Sequence, residues 1–231
     1  MEKILEIILL FLKQNPENNI ITTLSGWGQK PDFISKKIPE LKECKVKNLD
    51  YLSFSSKELF LNSINNQKSD ILIGWSLGGQ IAIKLVEKKI IEPQLLILLS
   101  TPCDFLSPIN GINPIIYKSF KYLAKKNPIK LLRKFHLMML QGDERFHELK
   151  RCVSYHDKNL EYWLDELIKF SAKDVDFNDF CKTELIYGKN DEIVNFQQAV
   201  EIKDLINGSN LIILQNRSHF YYSNNLPNSN I

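Results

Sequence analysis

The sequence predicts an α/β fold, a mostly parallel central sheet flanked by helices, from two observations. Short runs of apolar and β-branched residues indicate strands, and these runs alternate with segments of helical periodicity. Such alternation favours parallel strands, because each crossover helix returns the chain to the same edge of the sheet. The predicted strands are residues 19–24, 45–50, 70–75, 94–100, 183–187 and 210–215.

The segment Met1–Gln14 precedes these strands, and we predict an amphipathic helix or a strand packed on the sheet. Its apolar part, Ile4 to Leu12, is too short to span a membrane. It also lacks the basic start and small-residue cleavage site of a secretory signal. A membrane-surface role stays open as an alternative, without stable insertion.

The most informative motif is Gly74-Trp75-Ser76-Leu77-Gly78, a G-x-S-x-G sequence between the strand at 70–75 and a helical segment. Strand, sharp turn and helix form the nucleophile elbow of α/β-hydrolases, which holds a strained serine at the carboxyl edge of the sheet. The two glycines leave room for the close backbone approach in that turn. An ordinary βα turn is the alternative interpretation of these five residues alone.

The partners that a serine nucleophile needs follow in the chain order Ser, Asp, His that this fold uses. Asp191 comes after the strand at 183–187, and its neighbour Glu192 is the alternative acid. Of the four histidines, only His219 lies in a loop after the last strand. We therefore expect Ser76, Asp191 and His219 to be catalytic, with the histidine as base and the aspartate fixing its tautomer.

An oxyanion hole requires two backbone N–H groups beside the nucleophile. One is expected from Leu77, and the other from the loop after the first strand. That loop is Ser25-Gly26-Trp27-Gly28, whose glycines allow a turn that aims the Trp27 N–H inward. Ser25 stands where many α/β-hydrolases carry histidine. Because the expected donor is a backbone N–H and not this side chain, we expect the oxyanion hole to be present all the same.

A long helical segment separates the strands at 94–100 and 183–187. Within a single α/β-hydrolase domain over 1–231, we expect a helical lid insert over about 105–175. Residues 113–173 hold 13 Lys and Arg against 7 Asp and Glu, a net charge of +6 in a chain whose total is +3. These lysines are either a solvated surface or a docking site for an acidic partner, whose approach the charge would accelerate.

These motifs resemble the pimeloyl-ACP methyl ester carboxylesterases of biotin synthesis over about residues 19–220. The resemblance implies a serine esterase that cleaves the methyl ester of a pimeloyl chain carried by acyl carrier protein, releasing methanol. The matching segments are Gly26-Trp27-Gly28, Gly74 to Gly79, Ser100-Thr101-Pro102-Cys103, Phe135, Leu140-Gln141-Gly142 and the interval from Asp191 to His219.

The same resemblance implies roles for individual side chains. Trp27 and Leu77 supply the oxyanion donors in that family, and Trp27 and Phe135 would bind the substrate's acyl chain. Basic lid residues contact the carrier protein there. A gapped alignment of the lid places the docking residues at Lys130, Lys134, Lys150 and Arg151.

The amino-acid composition narrows the remaining functional classes. A chain with 44% hydrophobic and 25% charged residues is typical of globular proteins, and a net charge of +3 makes no general case for nucleic acid. We find no metal-ligand spacing or phosphate loop and expect no cofactor. The four scattered cysteines favour reduced thiols, so we expect a cytoplasmic protein. We also expect a monomer. Two rivals stay open: a general short-chain carboxylesterase or thioesterase of the same fold, and a non-catalytic hydrolase-fold binding protein.

Overall fold

The computed structural model describes residues 2–14, 19–38, 41, 44–64, 67–149 and 155–219, and its centre is a parallel sheet. The described strands pair in the order β2-β1-β3-β4-β5-β6, and every neighbouring pair is parallel. Their bounds are β1 Ile20–Leu24, β2 Lys45–Asn48, β3 Ile71–Trp75, β4 Leu95–Leu99, β5 Lys182–Gly188 and β6 Asn210–Leu214. The predicted α/β fold is confirmed, and each strand end lies within a residue or two of its predicted place.

The middle of the sheet is formed by β3 and β4, in which every residue is buried. Parallel strands covered on both faces read as continuous apolar runs, which is why Ile71-Leu72-Ile73 shows no alternation. The edge strand β2 is half exposed and carries Lys45 and Lys47, charges that suit an open sheet edge. Because the strands are parallel, their carboxyl ends meet at one edge, where sheets of this kind place their ligand sites.

Helices connect and cover these strands. Of the two forms predicted for Met1–Gln14, the structure has the helix over Glu2–Gln14: Ile8 and Phe11 are buried, whereas Leu9 and Leu10 are exposed. The helices are α1 Glu2–Gln14, α2 Phe33–Lys37, α3 Lys57–Ser63, α4 Leu77–Glu87, α5 Pro114–Lys126, α6 Pro128–Leu140, α7 Phe146–Leu149, α8 Leu160–Lys169 and α9 Gln197–Leu205. Among the described residues, none of them has the length and apolar character needed to cross a membrane.

Helices α5 to α8 all lie between β4 and β5, and we call residues 105–175 the insert. Asparagine caps two of them: Asn113 Oδ1 accepts the N–H of Ile115 at 2.8 Å, and Asn127 Oδ1 accepts that of Lys130 at 3.0 Å. Each cap is followed by proline at the first helical position, a residue that suits a helix start. The described part of the insert contains these four helices, and its bounds and its action as a lid stay predictions.

Candidate active site

Ser76 occupies the sharp turn between β3 and α4. Its backbone lies at φ 55° and ψ −122°, a conformation that non-glycine residues rarely adopt and that is strained. The Ser76 N–H donates to Leu99 O of the neighbouring strand at 2.8 Å, which helps to hold the turn against the sheet. The side chain therefore projects from a rigid corner at the carboxyl edge.

The glycines of the motif are required by close contacts around this corner. A Cβ on Gly74 would lie 2.5 Å from Gly79 Cα, and a Cβ on Gly78 would lie 2.2 Å from Leu24 O. Both distances are far shorter than van der Waals contact. Any side chain at these positions would push the start of α4 away from β3 or from the end of β1.

Asp191 lies in the loop after β5 and is buried among hydrogen-bond donors. Its Oδ1 accepts the backbone N–H groups of Ile193 and Val194, each at 2.8 Å. Its Oδ2 accepts the hydroxyl of Ser100 at 2.6 Å. These bonds fix the carboxylate plane, whereas the alternative acid, Glu192, is exposed.

His219 lies after β6 with its side chain fully buried. Its Nδ1 is 2.7 Å from Asp191 Oδ2. An ionised carboxylate can only accept a hydrogen bond, so Nδ1 carries the proton and Nε2 is the basic nitrogen. Nε2 has no hydrogen-bond partner within the part of the chain that the structure describes. The His219 carbonyl accepts the Trp75 indole N–H at 3.1 Å, and the two rings are 5.7 Å apart. His219 is thus held beside the residue that precedes Ser76.

The loop after β1 lies against the start of α4. Gly78 meets it at Leu24 O and Ser25 O, and the Ser25 carbonyl accepts the hydroxyl of Tyr51 at 3.0 Å. Burial, together with the nearby Asp50 carboxylate, raises the pKa of Tyr51 well above its ordinary value, so this hydroxyl keeps its proton and stays a donor. The loop that carries Trp27 is therefore anchored from two sides.

Trp27 and Leu77, the expected oxyanion donors, lie on these two adjoining segments. Leu77 is the first residue of α4, and the first N–H groups of a helix have no partner within it. The Trp27 indole N–H donates to Leu160 O of the insert at 3.0 Å. Phe135 of α6 packs edge-on against the Trp27 ring at 5.2 Å, so the insert covers this loop with aromatic surface.

The predicted docking residues divide into two pairs. Lys130 and Lys134 are exposed on α6, and no carboxylate of the described residues lies within 4.0 Å of either amino group. Lys150 and Arg151 lie outside the described residues. Four other basic side chains of α5 and α6 are also exposed and have no ion pair with a described residue, although sequence reasoning did not single them out: Lys118, Lys125, Lys126 and Arg133.

Sequence reasoning also missed the role of Ser100 and of a segment of the insert. Ser100 follows β4 at the carboxyl edge of the sheet, a position that marks functional residues in parallel sheets. The segment from Gly142 to Arg145 touches the loops of both Asp191 and His219 through partners more than 45 residues away. No local pattern in the sequence signals such contacts.

With this geometry in place, the chain can be compared with known proteins. No family model matches it. It is 30% identical over 191 residues to the pimeloyl-[acyl-carrier protein] methyl ester esterase of Wigglesworthia glossinidia brevipalpis, a match that covers 75% of this chain and 72% of that protein. It is 25% identical over 160 residues to the protein of the same name from Nitrosospira multiformis, covering 64% of this chain and 61% of that protein.

A solved structure shares the fold. The esterase EaEST from Exiguobacterium antarcticum superposes with a TM-score of 0.67 at 18% identity, covering 87% of this chain and 85% of that chain. At this identity the likeness concerns the α/β-hydrolase fold. Together the relatives support a carboxylic ester hydrolase.

Proposed function

This chain belongs to the pimeloyl-[acyl-carrier protein] methyl ester esterase family, and on that premise we propose that it hydrolyses the methyl ester of pimeloyl-acyl carrier protein. The observation that carries the proposal is the pair of His219 Nδ1 and Asp191 Oδ2, 2.7 Å apart. The carbonyl of His219 accepts the indole N–H of Trp75, which directly precedes the strained turn of Ser76. A buried imidazole whose Nδ1 is held by a carboxylate leaves Nε2 as the base that an elbow serine needs for acyl transfer.

In the proposed mechanism, Ser76 Oγ attacks the ester carbonyl carbon while His219 Nε2 accepts the hydroxyl proton. The imidazolium, stabilised by Asp191, then returns this proton to the methanol oxygen as the ester C–O bond breaks. A water molecule next attacks the acyl-enzyme and gives its proton to Nε2. Return of that proton to Ser76 frees the carboxylate product and restores the enzyme.

The negative charge that develops on the carbonyl oxygen needs fixed donors. We assign these to the backbone N–H groups of Leu77 and Trp27, which lie on the adjoining segments described above. Loss of one such donor in other acyl-transfer enzymes costs about 10²–10³ in rate. The hydrogen bonds that anchor the Trp27 loop support this assignment, because preorganised donors need not move during the reaction.

Features of the insert favour the proposal that the substrate is bound to a carrier protein. We propose that it is a lid, with Phe135 beside Trp27 bounding the path of the acyl chain. Residues 113–173 carry a net charge of +6, and Lys130 and Lys134 are exposed without a carboxylate partner among the described residues. An acidic carrier protein would find these charges available, and we assign docking to them together with Lys150 and Arg151.

The first measurement is the demethylation of pimeloyl-acyl carrier protein methyl ester, followed by mass spectrometry of the carrier. We expect turnover by the wild type and a fall of about 10⁴-fold or more in Ser76→Ala, because the nucleophile is removed. Ser69→Ala, a buried serine outside the site, is the matched control and should retain activity.

A short p-nitrophenyl ester separates the alternatives. Serine-dependent cleavage of this ester without demethylation of the carrier would contradict the substrate and leave a general esterase. If neither is cleaved and a fluorophosphonate probe fails to label Ser76, the proposed catalytic function is wrong.

A further inference from the structure

One short segment of the insert contacts both loops that carry the proposed acid and base. Gly142 O accepts the side-chain N–H of Asn190, the neighbour of Asp191, at 2.9 Å. The Glu144 N–H points to Asn216 O at 3.5 Å, and the Glu144 carboxylate pairs with the Arg217 guanidinium. The insert therefore meets the active-site loops from outside the sheet.

At the centre of this segment is a buried ion pair. Asp143 Oδ1 accepts the Arg145 backbone N–H at 2.9 Å and its Nε–H at 3.0 Å, and Oδ2 accepts from Nη2 at 3.1 Å. The Asp143 side chain is fully buried. Burial alone would raise the pKa of Asp143, but the hydrogen bonds from Arg145 and Ser218 hold it below its ordinary value, so the carboxylate is charged at neutral pH.

The same carboxylate reaches the residue before His219. Oδ2 is 3.4 Å from the Ser218 backbone N–H and 3.3 Å from its hydroxyl, and both groups point at it as donors. On the other side, the carbonyl of Arg217 accepts the Asn190 N–H at 2.9 Å. The loop that presents His219 is thus held between the Asp191 loop and Asp143.

We infer that Asp143, fixed by Arg145, is a positioning residue that holds the Ser218–His219 loop against Asp191. This inference rests on the proposed function, since it concerns the base of the same site. The sheet also supports this loop: Trp75 of β3 donates its indole N–H to the His219 carbonyl at 3.1 Å, and a Cβ on Gly188 of β5 would lie 2.3 Å from Ser218 O. Strand β6 lies at one edge of the sheet and is only partly buried, and Asp143 adds a contact from the side of the insert.

The energetics of the pair favour a geometric role over a stabilising one. Taking a carboxylate and a guanidinium out of water costs about as much as their attraction returns, so a buried pair adds little to stability. The pair does, however, fix the orientation of the Asp143 carboxylate, because the Arg145 guanidinium donates to both of its oxygens in a planar, two-pronged arrangement. A small misplacement of a catalytic base is costly: a shift of about 1 Å can reduce the rate about 10²-fold.

Two variants and one control test the inference. Asp143→Asn keeps the shape and removes the charge. The double variant Asp143→Leu/Arg145→Met removes both charges at similar volume and is expected to fold, because apolar replacement of a buried pair is often neutral. Asp165→Asn is the matched control: Asp165 pairs with Lys121 at 2.8 Å and accepts the Tyr117 hydroxyl at 2.9 Å, both within the same insert, and it bonds to no described residue of either active-site loop.

We expect kcat for a p-nitrophenyl ester to fall about 10- to 100-fold in both Asp143 variants, with KM within about twofold of wild type. Asp165→Asn should keep the wild-type kcat. A double variant with wild-type melting temperature and wild-type kcat would overturn the inference. So would an equal loss of kcat in Asp165→Asn.

A second measurement does not depend on turnover. The proton on His219 Nδ1, hydrogen-bonded to Asp191, gives a downfield proton NMR resonance that should shift or broaden in both Asp143 variants and stay in place in Asp165→Asn. An unchanged resonance in the double variant would contradict the positioning role. If the wild type shows this resonance but cleaves no ester, the proposed function fails while the NMR comparison still decides the role of Asp143.

Discussion

Ser100 illustrates how a single residue completes a site that the sequence only outlines. Its hydroxyl donates to Asp191 Oδ2 at 2.6 Å, the oxygen that also faces His219 Nδ1. A hydrogen bond to a charged group contributes about 1.5–3 kcal/mol, roughly twice a neutral one. Ser100 therefore helps to orient the carboxylate that faces His219, the proposed base.

At this scale we predict that Ser100→Ala lowers the free energy of unfolding by about 1.5–3 kcal/mol and kcat several-fold, because Asp191 loses a short donor. Denaturant titration and ester hydrolysis measure the two effects. The control is Ser69→Ala, whose hydroxyl donates to the neutral carbonyl of Ile71 at 2.9 Å. It should cost about 1 kcal/mol and leave kcat unchanged; equal kcat in the two variants would remove Ser100 from the site.

Among the elements, the start of α4 determines how the site is assembled. Its first turn contacts β3 at Gly74 and the loop after β1 at Gly78. Neither contact leaves room for a side chain. The strained Ser76 turn persists because contacts with the sheet on one side and the helix on the other hold its backbone in place. The elbow, the loop of Trp27 and the helix that contributes Leu77 are consequently one packed unit.

We predict that Gly78→Ala destabilises the fold by about 1–3 kcal/mol or more, because the new Cβ would lie 2.2 Å from Leu24 O and the backbone must shift. Esterase activity should fall with it, since the shift separates Leu77 from Trp27. Gly208→Ala is the control: it has a positive φ but nothing within 4 Å of its Cβ, so it costs about 1 kcal/mol. Equal losses in the two variants would show that the contact at Gly78 is unimportant.

Across the whole molecule, positive charge is concentrated in one part of the chain. The chain has a net charge of +3, whereas 113–173 alone carries +6. Some of this charge is used internally, as in the pair of Lys121 and Asp165, but Lys130 and Lys134 have no such partner among the described residues. Exposed charges of this kind steer an acidic partner and act mainly on the association rate.

We predict that Lys130→Glu/Lys134→Glu raises KM for the carrier-bound ester roughly tenfold and leaves a p-nitrophenyl ester unaffected. The effect should shrink at high salt. Lys88→Glu/Lys203→Glu makes the same change in net charge near the ends of α4 and α9, at the opposite edge of the sheet, and should change neither substrate. Equal effects of the two double variants would mean that total charge, not the insert, governs KM.

The sequence by itself determined the elements and the order of the chemistry. Strands such as Ile71–Trp75 and Leu95–Leu99 were predictable because burial on both faces requires an unbroken apolar run. Ser76, Asp191 and His219 were predictable as candidates because each follows a strand, and parallel strands bring their carboxyl ends together. These patterns are local, so the residues that form them are close together in the sequence and can be recognised there.

Only the tertiary structure decided which neighbours orient these candidates. The choice of Asp191 over Glu192 depends on which carboxylate turns inward to His219, and the contacts of Ser100 and Asp143 join residues 91 and 75 positions apart. Long-range contacts of this kind depend on how loops and the insert pack over the sheet, and no periodicity or spacing encodes that packing. The fold was therefore readable from sequence, while the support of its proposed base was visible only in three dimensions.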